Sequence, residues 1–243
     1  MPSRTGGGST STVLSFLNSA LRLFYPQSCG VCGTDGDVLC RTCVAAFRIV
    51  RDEEVCPVCG RWLGRSVVCA SCSGSKMWFS RGFFGFEYDG AVREAIHAFK
   101  FQGSKQIGRR LVQLVSDKFH GLDREVDLVV PVPVSERRLR ERGFNQSFVI
   151  ADEIAALTGL PVDPAVLLKN EGVRDQFSLS RNERRKNVRG AFRVKGPDRV
   201  RDRRILLIDD LFTTGYTAAE AARTLVRAGS SDILLFALAR TPE

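Results

Sequence analysis

Arg204-Ile-Leu-Leu-Ile-Asp209-Asp210-Leu-Phe-Thr213-Thr214-Gly215-Tyr-Thr217 is the stretch that decides the fold. Ile205 to Ile208 form an uninterrupted apolar run, the pattern of a strand buried on both faces of a parallel sheet, and the two carboxylates that follow are read as its end. Small and hydroxyl residues surround Gly215, after which Ala218, Ala221, Ala222, Leu225 and Val226 recur at helical spacing. The unit is strand, loop, helix. At the carboxyl end of such a strand, the free N–H groups of the turn and the positive end of the next helix dipole make a phosphate cradle, to which threonine hydroxyls add donors. Carboxylates in front of it repel phosphate but suit sugar hydroxyls and a phosphate-bound Mg²⁺, so the expected ligand carries both a sugar and a phosphate. The plainer alternative is an Asp that ends a strand and a Thr217 that caps a helix. No Walker-A lysine pattern and no G-x-G-x-x-G occurs.

The chain has 243 residues and is 44% hydrophobic, enough for one good-sized core and a small module. Its net charge of +9 is local: residues 174–204 hold twelve Lys/Arg against four Asp/Glu, a net +8. Such a stretch serves polyphosphate, nucleic acid or mere solubility. All eight cysteines lie between Cys29 and Cys72 in four C-x-x-C pairs: Cys29/Cys32, Cys40/Cys43, Cys56/Cys59 and Cys69/Cys72. That spacing is of zinc–thiolate knuckles, and C-G-V-C-G and C-P-V-C-G each add the glycine that lets the chain turn around a metal. Two Zn²⁺ are expected, with sequential pairing the simplest and interleaved pairing open. A disulfide framework fits less well, because repeated close pairs bridge poorly and no convincing signal peptide precedes them.

Residues 1–27 read as a flexible tail followed by a docking helix, with Val13, Phe16, Leu17, Ala20, Leu21 and Phe24 on one stripe. That helix is too short and interrupted to span a membrane, so a cytoplasmic protein is expected. Residues 28–75 form the cysteine module, with Ser73 to Lys76 as a hinge, and residues 76–243 form the main domain. In it Gly82 to Tyr88 reads as a strand and Asp89-Gly90 as a turn, with helices from Ala91 to Lys100 and from Ile107 to Phe119. His97 and His120 are the only histidines, which excludes any mechanism needing a histidine cluster; His97 reads as structural.

Asp127 to Pro133 is a second buried strand, stopped by its prolines so that Ser135-Glu-Arg-Arg-Leu-Arg-Glu-Arg142-Gly-Phe-Asn145-Gln146 sits at its carboxyl end, where an α/β sheet binds ligands. The arginines Arg137, Arg138, Arg140 and Arg142 read either as a site or as a solvated helical turn. G-F-N-Q has no obvious core purpose, which favours a site. A helix from Ser147 to Leu157 ends at Gly159, and a short strand runs from Val166 to Lys169. Ser180 and Glu183 have the spacing of a capping box, which places Arg181, Arg184 and Arg185 on a short helix over the site, a natural lid. Asp232 to Ala239 is the last strand, and an internal one.

These pieces together carry a resemblance. The Asp209-Asp210 to Thr217 string resembles the phosphoribosyl pyrophosphate signature of type I phosphoribosyltransferases. From Leu21 to Arg240 the chain is identified as a member of the ComF/GntX-like family, through L-F-Y-P-x-x-C-x-x-C, the paired cysteines, Y-D-G-x-V-R-E-x-I with Lys100, V-P-V-P with R-G-F-N-Q, R-x-Q-x-x-L-S-x-x-x-R-x-x-N-x-x-G-A-F and D-D-x-x-T-T-G-x-T. Phe212 and Tyr216 depart from the family pattern. The resemblance implies an α/β phosphoribosyltransferase-like domain, a parallel sheet flanked by helices, behind an N-terminal double zinc ribbon. It implies that Asp209 and Asp210 hold the ribose hydroxyls and Thr213, Thr214, Gly215 and Thr217 the 5′-phosphate, with Mg²⁺ on the ligand. Pro133, Ser135, Arg138, Arg142, Asn145, Gln146 and Gln176 are the matching pyrophosphate and substrate positions, and Arg142, Arg174, Arg181 and Arg184 are the candidate catalytic residues. The implied biology is DNA uptake in competent bacteria. Two functions are therefore expected: transfer of a phosphoribosyl group to an unknown acceptor, or non-catalytic holding of single-stranded DNA among DNA-uptake proteins.

Overall fold

The computed structural model describes residues 27–75, 77–170 and 189–242. Its strands are β1 (Arg81–Glu87), β2 (Leu128–Pro131), β3 (Leu167–Lys169), β4 (Phe192–Val194), β5 (Arg204–Phe212) and β6 (Asp232–Arg240). Its α-helices are α1 (Arg41–Ala45), α2 (Ala70–Ser73), α3 (Gly90–Phe101), α4 (Lys105–Gln113), α5 (Leu122–Glu125), α6 (Glu136–Arg142), α7 (Gln146–Thr158) and α8 (Tyr216–Arg227). Four strands form the main sheet in the order β1-β6-β5-β2, every neighbouring pair parallel, and β3 and β4 make a separate antiparallel pair. The expected class, a parallel sheet between helices with a cysteine module ahead of it, is what the chain forms.

Strand alternation explains the unbroken apolar runs, because both faces of the sheet are covered. Leu206, Ile208, Leu234, Phe236 and Leu238 pack with α3, α4 and α7, whereas Ile205, Leu207, Ile233, Leu235 and Ala237 pack with Ala218, Ala221, Ala222 and Leu225 of α8. Each Leu, Ile or Phe side chain among them contributes about 1.5–3 kcal/mol when fully buried. The cysteine module shares this core, with Val50 and Val55 in the α8-side cluster and Leu39 in the other. It also borders the sheet: Val50 N–H donates to Gly85 O at 3.0 Å, and Glu87 N–H to Arg48 O at 2.9 Å.

Three expectations change. β5 does not end at the carboxylates but runs on through Asp209, Asp210 and Leu211 to Phe212, because β6 is equally long and keeps pairing with it as far as Phe212 opposite Arg240. The helix expected from Ile107 to Phe119 is divided into α4 and a 3-10 turn at Ser116–Phe119. The tighter turn takes Phe119 to the sheet, its ring 5.0 Å from that of Phe236, and Lys118 to an ion pair 2.9 Å from Asp52 of the cysteine module. Third, G-F-N-Q does have a core purpose. Phe144 is buried against Phe99 with ring centroids 5.7 Å apart. Asn145 caps α7 by accepting from Ser147 N–H at 3.1 Å and donates to Val132 O at 3.1 Å. Gln146 is fully buried. The turn thus locks the end of β2 to the start of α7. The docking helix at residues 13–24 and the lid residues Arg174, Gln176, Arg181, Arg184 and Arg185 lie outside the described residues.

Candidate functional site

The cysteines gather in sequential sets, Cys29, Cys32, Cys40, Cys43 and Cys56, Cys59, Cys69, Cys72, with the sulfurs of each set within 4.8 Å of one another. None is in a disulfide. A tetrahedral zinc with Zn–S bonds of about 2.3 Å spaces its sulfurs about 3.8 Å apart. Cys32 and Cys40 stand 3.7 Å apart, as do Cys59 and Cys69. The two knuckles repeat one design: Gly33 and Gly60 take φ of 76° and 68°, and their N–H groups donate to Cys29 O and Cys56 O at 2.8 and 2.9 Å. Cys40 N–H and Cys69 N–H then point at the Cys29 and Cys56 sulfurs, each at 3.4 Å. Four thiolates share so small a space only around a cation. Burial first, and then the neighbouring thiols, push Cys43 and Cys72 well above the ordinary thiol range. The residues fit two zinc ions in two Cys₄ sites.

The second site is made by strands of unequal length. β2 stops early, because Pro131 and Pro133 cannot donate to a ladder, and Val132 N–H makes its last bond to Ile208 O at 2.9 Å. Among the described residues β5 continues beside β6 alone, so Asp209 and Asp210 stand on a strand with no described neighbour on its β2 side. Asp210 is ion-paired to Lys100 of α3, Nζ to Oδ2 3.0 Å, with both side chains mostly buried. Asp209 Oδ1 accepts from Asp210 N–H at 2.9 Å. Burial, and then the charge of Asp210, push the Asp209 carboxyl up to about 7, against the opposing pull of Lys100 and Lys169. Tyr88, just beyond β1, is also raised, by burial first and with Asp210 among the charges acting on it. Neither Lys100 as the partner of Asp210 nor Tyr88 was given a role by sequence, because helix spacing does not say where a residue meets a strand.

Gly215 has a φ of 75° and opens α8, whose first turn has no side-chain cap. The first helical bond runs from Ala219 N–H to Gly215 O at 2.8 Å, and Thr217 lies one residue inside the helix rather than at its cap. Thr213 is exposed, and Thr214 and Thr217 are partly buried. N–H groups that no described side chain caps, the positive dipole and hydroxyls converge there, as a bound phosphate requires.

The arginines divide. Arg137 and Arg140 make exposed pairs with Glu141 and Glu136 at 3.5 and 3.3 Å along α6, the solvated-face reading. Arg142 is different, its Nη1 donating to Gln146 Oε1 at 3.1 Å and its guanidinium 5.1 Å from the Phe101 ring centroid. Ser135 caps α6 by accepting from Arg138 N–H at 3.4 Å. Asn145 and Gln146 are committed to the packing already described. Within the described part of the basic stretch, Arg199 pairs with Asp163, Arg201 with Asp198 and Arg204 with Asp127. Arg204 is held by Asp127, whose carboxyl it brings down to about 2. His97 is exposed, its ring 4.6 Å from that of Phe101.

The raised Asp209 carboxyl has a thermal consequence. A folded-state value above the unfolded one of about 3.9 means the native protein binds more protons between roughly pH 4 and 7, so stability falls as pH rises through that window. Asp209→Asn keeps the acceptor and removes the charge. Its melting temperature should match wild type near pH 4 and exceed it above pH 8 by roughly 4–8 °C, the shift expected for about 2 kcal/mol in a chain of this size. A difference that does not change with pH would contradict this.

A family model described as Double zinc ribbon domain matches residues 20–73. The DNA utilization protein YhgH of Escherichia coli (strain K12) is 30% identical over 210 residues, spanning 84% of this chain and 90% of its own. Competence protein ComFC of Bacillus subtilis (strain 168) is 28% identical over 214 residues, 84% of each chain. That of Streptococcus pneumoniae (strain ATCC BAA-255 / R6) is 29% identical over 239 residues, 96% of this chain and 97% of its own. Among solved structures, the allosteric regulatory enzyme of purine biosynthesis overlaps 56% of this chain and 25% of its own at 25% identity, with a TM-score of 0.37, too low to bear on function. The extent and level of the YhgH match, with the paired Cys₄ sites at the head of the chain, place this protein in the ComF/GntX-like family of DNA utilization and competence proteins.

Proposed function

We propose that the carboxyl end of β5 binds phosphoribosyl pyrophosphate with Mg²⁺, and that the protein transfers the phosphoribosyl group to an acceptor within the cytoplasmic handling of incoming DNA. The observation that supports this reading best is the position of Asp209 and Asp210 on the flank of β5 that no described strand covers, directly ahead of the positive-φ turn at Gly215 and the start of α8, which no described side chain caps. Asp209 and Asp210 would hold the ribose 2′ and 3′ hydroxyls, with the ion pair to Lys100 aiming the Asp210 side chain. The 5′-phosphate would lie on the N–H groups and hydroxyls of Thr213, Thr214 and Thr217. Mg²⁺ carried on the pyrophosphate would stabilise the leaving charge as a Lewis acid. Arg142 and Arg138 of α6, the helix that follows β2, with Arg174, Arg181 and Arg184, would neutralise the pyrophosphate as the C1–O bond breaks.

Asp210→Asn tests the ribose assignment. Loss of charge-assisted hydrogen bonds worth roughly 1.5–3 kcal/mol should weaken phosphoribosyl pyrophosphate binding about ten- to a hundredfold. The overall fold should stay intact. Unchanged affinity in a folded variant would remove Asp210 from the site.

A second reading, single-stranded DNA held along the basic stretch, is favoured by the names of the relatives, DNA utilization and competence proteins. It loses one stacking platform, since Phe192 is buried and faces the core. If DNA is held through phosphates, log affinity falls with log salt at a slope of about −0.7 per contact, and Arg181→Ala with Arg184→Ala and Arg185→Ala should flatten the slope by about 2. Binding that is insensitive to salt would exclude this reading.

A further inference from the structure

The second cysteine set and the phosphate loop are joined by a continuous run of packed side chains. Gly60 closes the C-P-V-C-G knuckle so tightly that a Cβ there would stand 2.5 Å from Phe84 Cδ2 and 2.8 Å from Arg240 Cδ. Gly82 N–H of β1 donates to Pro57 O inside the same knuckle at 2.8 Å. Phe84, fully buried, meets Phe212 edge-on at 5.1 Å between ring centroids. Phe212 in turn closes on the loop, where a Cβ on Gly215 would stand 2.6 Å from its Cζ. Phe212 is one of the two positions at which the chain departs from the family pattern, and here it has a use.

Arg240 belongs to the same assembly. It is the last residue of β6, paired across the ladder with Phe212, and is only 5% exposed. Its Nε has no hydrogen-bond partner among the described residues. Burial is the largest influence on its cation and disfavours it; the charges of Cys59, Glu87 and Cys56 favour it, while Arg61 opposes it. A buried arginine is costly unless compensated. Four thiolates around one zinc would leave an excess of negative charge beside the knuckle that Arg240 packs against, a charge that, together with that of Glu87, the arginine is placed to offset. The first cysteine set packs elsewhere, with Gly30 against Ile107 of α4 and Ala98 of α3.

We propose that the second zinc site is part of the support of the phosphate loop: Arg240 is its outer counter-charge, and Phe84 with Phe212 passes the position of the knuckle on to Gly215. Loading of this site, not of the first, then sets the order of residues 213–217. Its consequence for ligand binding rests on the phosphate reading of that loop; the coupling does not.

The test uses the full zinc-loaded chain. Wild type, Arg240→Lys and Arg240→Met are challenged with the chelator 4-(2-pyridylazo)resorcinol, and alkylation by N-ethylmaleimide is followed by mass spectrometry of the 29–43 and 56–72 peptides. Arg240→Met should expose the second set about tenfold faster and leave the first unchanged, with Arg240→Lys in between. Equal acceleration of both sets, or of neither, overturns the role of Arg240. On wild type under limited chelation, which needs no variant to fold, deuterium uptake at 213–217 should rise in step with alkylation of Cys56 to Cys72. Uptake that follows the first set, or follows neither, overturns the coupling. Phosphoribosyl pyrophosphate is absent from both measurements, so they stand or fall apart from the ligand reading.

Discussion

Gly215→Val should lower the melting temperature by roughly 10 °C and abolish binding of ribose-5-phosphate ligands. Gly215 has a φ of 75°, where a β-branched residue is strained by about 1–3 kcal/mol. Its open face is also filled, since a Cβ would stand 2.5 Å from Met77 Cε and 2.6 Å from Phe212 Cζ. Overpacking adds about 1–3 kcal/mol, eased in part by the flexible methionine. At about 2–4 °C per kcal/mol in a chain of this size, the sum gives the stated shift. The family resemblance implies that this glycine helps hold a phosphate; the structure adds that the protein itself packs against its Cβ direction. Gly215→Ala shares the φ penalty and less of the bulk, so calorimetric scans of the two should rank Val well below Ala. Equal melting temperatures would mean that the loop is not held as described.

Removal of zinc from the second site should have the larger effect. Structural zinc contributes about 10–16 kcal/mol to small metal domains, as much as the whole stability of a typical protein. Cys59 packs against the α8-side core cluster, so its site cannot open without loosening Val50, Val55 and Phe84. Elemental analysis should give two zinc ions per wild-type chain and one in Cys59→Ser, whose thermal unfolding should become broad or begin below ambient temperature. A wild-type ratio well below one, or native disulfides in the mass spectrum, would contradict the assignment.

What the sequence revealed follows from the range over which each signal acts. Ile205 to Ile208 and the apolar part of Asp232 to Ala239 were legible because a strand covered on both faces has no polar positions, a property of the strand itself. The end of β5 was not. Asp209 and Asp210 read as a stop, yet pairing is decided by the neighbour, and β6 extends to Arg240. C-x-x-C spacing gave the metal ligands because both residues of a pair lie on one turn, whereas sequential grouping had to come from three dimensions. G-F-N-Q was misread for a similar reason. Asn145 bonds to Val132, thirteen positions back, and Phe144 stacks on Phe99, contacts that no local pattern announces. Lys100 lies far from Asp210 in the chain and was seen only as part of a family motif.

Calorimetric titration of the wild-type protein with phosphoribosyl pyrophosphate, with and without Mg²⁺, tests the central claim most directly. Saturable binding of one ligand per chain, strengthened by Mg²⁺ and weakened about ten- to a hundredfold in Asp210→Asn, is the expected result. A folded, zinc-loaded wild type with no detectable affinity for phosphoribosyl pyrophosphate or any other ribose-5-phosphate compound would contradict it.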